Sequence, residues 1–76
     1  METAKTTENV NALLDAIINR QKLKNDAQLC RLLEIQPPVI SKLRHGHLPI
    51  GASLLIRIHE ETGMSIRELK DYLQRE

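Results

Sequence analysis

Pro38, Ser41, Lys42 and His45 are spaced i, i+3, i+4, i+7, so on a helix they would share one face. An ammonium, a hydroxyl and an imidazole offer hydrogen bonds and charge, and a proline ring offers apolar contact. No nucleophile stands beside a base, and no pair of carboxylates is placed for acid–base work. The face is suited to holding a ligand rather than to making or breaking bonds, and a non-enzyme is expected. His45 and His47 have the spacing of two metal ligands, but no thiol or carboxylate lies near them in sequence and a structural zinc normally takes four ligands. Neither a metal nor another cofactor is expected.

Charge is distributed unevenly around that face. Residues 1–36 balance five basic against five acidic side chains, whereas residues 37–59 carry Lys42, Arg44 and Arg57 with no acid, and residues 60–76 carry an acidic excess. The net charge of +1 therefore hides a basic middle. His45, His47 and His59 lie in the same acid-free stretch, where a nearby phosphate would favour their protonation.

The elements that must position these groups are short and helical. Tyr72 is the one aromatic residue of the 76-residue chain, so the core must be aliphatic, which suits interlocking helices better than a sheet. That length supports one domain and one core. Thr6 or Thr7 is expected to cap a first helix with Val10, Leu13, Leu14, Ile17 and Ile18 inward, ending near Gln21. Asn25 and Gln28 fit a reciprocal cap opening a second helix with Leu29, Cys30, Leu32 and Leu33 inward. Cys30 on that face reads as a small buried hydrophobe. After the interruption at residues 34–36 the pattern resumes with Val39, Ile40 and Leu43, and Gly46 supplies a stop. Ala52, Leu54, Leu55, Ile56 and Ile58 form a fourth helix, the most apolar and so expected to be the most buried. Gly63 ends it, and Ser65 with Glu68 matches a capping box for a fifth helix with Ile66, Leu69 and Leu73 inward and Arg67, Lys70, Asp71 and Arg75 outside. Fraying is expected at residues 1–5 and 75–76. No apolar run approaches the roughly 20 residues of a membrane span, and the start of the chain lacks a signal peptide's apolar region, so a cytoplasmic protein is expected.

Residues 25–46 thus compress two short helices around a turn with no room for a loop. With Leu29-Cys30 in the second helix, Ile35 after the turn, Ile40-Ser41 and Leu43 in the third helix, Gly46 behind it, Pro49 in the connection, and Gly63-Met64-Ser65 leading to Leu69, residues 10–73 resemble the Cro/C1-type (lambda-repressor-like) helix-turn-helix family. The resemblance implies a compact all-α domain of five helices over residues 7–74, helices two and three forming the motif, after a flexible segment 1–6. It further implies a sequence-specific transcriptional regulator, expected to be a repressor, that binds double-stranded DNA as a homodimer with its third helix in the major groove.

Transferred by position, the resemblance places Pro37, Pro38 and Lys42 at base-reading positions and Asn25 at the phosphate-facing start of the second helix. Ser41 on the same face and Gln36 in the turn are read as further base contacts, and Arg44, His45 and His47, where the chain leaves the third helix, as phosphate contacts. Lys42 can approach guanine O6 and N7, while prolines at 37 and 38 limit the leading edge to apolar contact such as a thymine methyl. Pro38 disfavours helical geometry at Pro37, so the third helix is expected to begin at Pro38 with Pro37 as its cap. Glu34 stands where the family has a glycine of positive φ and predicts local strain. Arg44 stands where the family often has an acid, and a charge-reversed pair with Asp15 is one reading. Asp26, at the phosphate-facing start of the second helix, and the proline pair are the features that favour an alternative: a protein-interaction module, an adaptor or antitoxin-like partner, that keeps the fold without DNA binding.

Overall fold

A computed structural model describes the backbone of residues 2–74 and the side chains from Thr7 to Gln74. The fraying expected at residue 1 and at 75–76, and the outward placement of Arg75, lie outside the described residues. Five helices follow one another, α1 (Glu2–Arg20), α2 (Asp26–Leu33), α3 (Pro37–Arg44), α4 (Ala52–Thr62) and α5 (Ile66–Leu73), and no strand occurs among the described residues. The Cα radius of gyration is 11.4 Å. General scaling gives a single compact domain of this length about 11 Å, so the helices close around one core.

The core is aliphatic. Val10, Leu13, Leu14 and Ile17 of α1 meet Leu29, Cys30 and Leu33 of α2, Ile40 and Leu43 of α3, Ile58 of α4, Met64 and Leu69, all buried. α1 packs against α2, α3 and α5, while α4 packs against α2 and α5. The central element is therefore α1 rather than α4, correcting the expectation from composition. The apolar run of α4 wraps more of its circumference than the neighbouring helices cover, so Ile58 is buried whereas Ile56 remains 52% exposed.

Helix starts also differ from the sequence reading. α1 already runs from Glu2, so neither Thr6 nor Thr7 is its cap. Residues 2–5 contain no helix breaker, and Glu, Ala and Lys propagate a helix well. At α3 the cap is Gln36 and both prolines occupy the first turn. First-turn N–H groups have no acceptor within the helix, so two prolines forfeit no hydrogen bond there. At α2 the Asn25 carboxamide oxygen accepts from the Gln28 N–H at 3.1 Å as expected, but the Gln28 side chain accepts from the Lys24 N–H at 2.7 Å, one residue before the cap. At α5 the Ser65 hydroxyl accepts from the Glu68 N–H at 3.0 Å, whereas the Glu68 carboxylate takes Arg20 at 3.0 Å instead of reaching back.

Helix ends share one device. α1, α2 and α3 each close with a six-to-one and a five-to-two backbone bond, Leu23 to Ile18 with Lys22 to Asn19, Ile35 to Cys30 with Glu34 to Arg31, and His47 to Lys42 with Gly46 to Leu43. The pivot residue must be left-handed, and it is Lys22 (φ 56), Glu34 (φ 57) and Gly46 (φ 78) respectively. Glu34 was legible as a strained non-glycine position; Lys22 was not, because no apolar pattern distinguishes it from an ordinary loop lysine. Gly46 carries a second constraint, since a Cβ there would collide with the Thr7 hydroxyl of α1.

Candidate nucleic-acid interface

Residues 34–36 join α2 to α3, and this short turn sets α3 beside α2 with one face outward. The buried stripe Ile40 and Leu43, with half-buried Val39, fixes which face that is. Pro38, Ser41, Lys42 and His45 are all exposed, as their spacing requires. Gln36 is exposed at the head of α3, and its side chain makes no capping bond. The prolines explain this freedom. They remove two of the N–H groups a cap would satisfy, and the remaining Val39 N–H is taken by the Gln36 carbonyl at 2.9 Å.

At the other end of α3 the His45 Nδ1–H donates to the Ser41 carbonyl at 2.8 Å, and the His45 and His47 rings stack with centroids 6.4 Å apart. Both rings are exposed. Pro38, Ser41, Lys42 and His45 thus form one exposed ridge on α3, with Gln36 exposed at its head and His47 stacked on His45 at its foot. Among the described residues no group of three or more His, Cys, Asp or Glu is gathered that could hold a metal ion.

Arg44 is placed differently from the other candidates. Its Nε and Nη2 grip the two Asp26 carboxylate oxygens at 3.0 and 2.7 Å, while Nη1 reaches Asp15 at 3.0 Å and Asn11 Oδ1 at 2.7 Å. The Asn11 amide donates in turn to the Arg44 carbonyl at 2.9 Å. The hydrogen bond to Asp26 is the largest influence holding the guanidinium above its ordinary basicity; desolvation opposes it, and Asp15 adds to it. Only 20% of the Arg44 side chain is exposed, so its donors bind α1 and α2 rather than standing free on the ridge. The Asp15 pairing raised from sequence is present, but Asp26 is the bidentate and dominant partner. Asn11 went unnoticed, although its i, i+4 relation to Asp15 placed both polar groups on one face of α1.

Asn25 is exposed, but its oxygen is occupied as the α2 cap. The Arg44 grip on Asp26 ties this start of α2 to the end of α3. Arg57 and His59, which extended the basic stretch in sequence, are engaged elsewhere: Arg57 pairs with Glu34 at 2.5 Å, and the His59 Nδ1–H donates to the Met64 carbonyl at 2.7 Å. Lys42 is consequently the one fixed positive charge that residues 37–59 place on the ridge. Beside the ridge, Leu33, Ile35, Val39, Leu43, Leu48 and Leu54 line an open groove of about 400 Å³. Comparison with protein-family models, with curated proteins and with solved structures finds no match for the chain in any of the three.

Proposed function

We propose that the domain is a lambda-repressor-like helix-turn-helix protein that binds double-stranded DNA sequence-specifically through α3 and regulates transcription as a homodimeric repressor. The observation that carries this reading is the ridge itself. A short helix, held against its predecessor by a three-residue turn, turns four ligand-capable residues to solvent with no acid among them. A helix of this kind fits the major groove, where hydrogen-bond donors and apolar groups distinguish base pairs. Lys42 approaches guanine, Ser41 and the uncommitted Gln36 amide meet base edges, and Pro38 packs a thymine methyl. His45, His47 and the start of α2 at Asn25 lie against the sugar–phosphate backbone and set register. Repression then follows from occupancy of the operator and needs no chemistry. The two-fold contact of the dimer is assigned to the α5 surface that includes Tyr72; Ile66, expected inward, is instead 37% exposed on the same helix.

Titration of random-sequence duplex at low and moderate salt tests the reading. Micromolar or tighter binding that weakens steeply with salt is expected, because phosphate neutralisation releases counterions. Binding that is absent at low salt would refute it. A second reading, a protein-interaction module, is favoured by the mostly apolar groove that Val39 and Leu43 of α3 help to line and by the donor-free Pro37 and Pro38, and it predicts weak or no duplex binding.

A further inference from the structure

The functional reading brings duplex phosphate to the start of α2, where Asp26 occupies the first helical position. A bare carboxylate there would repel the backbone. The structure shows why it is not bare: both of its oxygens are held by Arg44, through Nε at 3.0 Å and Nη2 at 2.7 Å. We propose that Arg44 is a positioning residue for the DNA face that acts through Asp26, holding the carboxylate at the head of α2 and offsetting part of its charge so that this end of the helix can approach phosphate. The inference rests on the DNA-binding reading.

Two features weigh against the simpler role, direct contact between Arg44 and phosphate. The guanidinium faces two carboxylates, Asp26 and Asp15, so the three side chains together carry a net negative charge and offer no surplus cation. Nη1 is engaged as well, shared between Asp15 and Asn11, and Asn11 also holds the Arg44 carbonyl. Leaving this cage for a phosphate would strip Asp26 and restore the repulsion beside the same ligand. Lys42 and Arg44 are two residues apart, yet Lys42 is exposed and Arg44 is turned back into α1 and α2. One faces the duplex and the other prepares the surface beside it.

The test uses the full chain and its Arg44→Ala, Asp26→Asn and Arg44→Ala/Asp26→Asn variants, with random-sequence duplex as probe and thermal melts run alongside. Random duplex suffices because the phosphate contribution does not depend on sequence. Arg44→Ala, which uncovers Asp26, should weaken binding by about tenfold or more at low salt. Removing the exposed charge in the double variant should return affinity to within about threefold of wild type while its Tm stays lowered, because no lost bond is restored. A purely structural clamp would not be rescued by Asp26→Asn. A double variant binding no more tightly than Arg44→Ala therefore overturns the proposal. If the Arg44 variants do not fold, Asp26→Asn alone decides: binding at least as tight as wild type supports charge cancellation, and weaker binding overturns it. Wild-type chain that binds no duplex removes the functional reading, and this inference with it. Duplex binding without rescue removes the inference alone.

Discussion

The Glu34 carboxylate, on a residue whose backbone is left-handed at φ 57 and ψ 44, accepts from Arg57 of α4 at 2.5 Å. The residue that strains the turn between α2 and α3 thus also ties that turn to α4. A left-handed non-glycine residue costs roughly 1–2 kcal/mol. An ion pair this exposed contributes at most about 1 kcal/mol. Strain therefore outweighs the pair, and Glu34→Gly should raise Tm by a few degrees, given about 4–8 °C per kcal/mol for domains of this size. Lys22→Gly, at φ 56 with no ion pair to lose among the described residues, should raise it at least as much. Thermal melts of both variants check this; a lower Tm for Lys22→Gly would show that added freedom of the unfolded chain exceeds the relief of strain.

Gly46 is required twice, by its φ of 78 and by the approach of Thr7. Gly46→Ala should cost at least about 1–2 kcal/mol from backbone geometry alone, with the α1 collision added to it. The same substitution in a Thr7→Ala background should cost less, since only the backbone part remains. Equal costs in the two backgrounds, measured by urea denaturation, would show that α1 shifts freely away.

Arg44 should couple unequally to its two carboxylates. A double-mutant cycle with Asp26, a bidentate partner, should give a larger interaction energy than one with Asp15, a single contact whose own side chain is 68% exposed. Coupling with Asp15 that equalled or exceeded the Asp26 value would mean that the α1 contact anchors α3.

Cys30 is buried on α2, and burial first, then the charge of Asp26, pushes its thiol above the ordinary value of 9.0. The folded protein therefore keeps the thiol neutral to higher pH than the unfolded chain does. The stability it contributes is complete below the unfolded value and is lost as pH rises through the folded one. Urea midpoints of wild type should accordingly fall more between pH 8 and pH 10 than those of Cys30→Ala. Parallel declines would show that other groups carry the alkaline sensitivity.

Lys42→Ala should relax sequence preference, losing about 1–3 kcal/mol of discrimination between a selected site and random duplex. His45→Ala and His47→Ala should instead weaken both alike and flatten the salt dependence, as contacts to phosphate do. Sites selected from a random pool supply the comparison, and equal effects of all three variants on both duplexes would remove the division between reading and positioning.

Periodicity and punctuation made the helices, most of the inward face and the ridge legible before any coordinates. Which side chains a helix turns inward follows from spacing alone, so Ile40 and Leu43 had to oppose Ser41, Lys42 and His45. The glycine at the end of α3, and Glu34 in place of one at the end of α2, were likewise readable from the left-handed stop each helix needs. Where spacing is silent the sequence said less. It offered Asp15 as a partner for Arg44 and not Asp26, which is eighteen residues away in the chain and 2.7 Å away in space.

Local chemistry, then, determined by itself that this chain is helical, where its helices stop, and which residues share the exposed face of α3. Only the tertiary structure decided which charges remain on that face, that α1 and not α4 is the central helix, and that Thr7 meets Gly46. The physical reason is range. Helix periodicity and capping act over three or four residues, whereas the pairing of Arg44 with Asp26, or of Arg57 with Glu34, depends on how separate helices cross, which no single segment encodes.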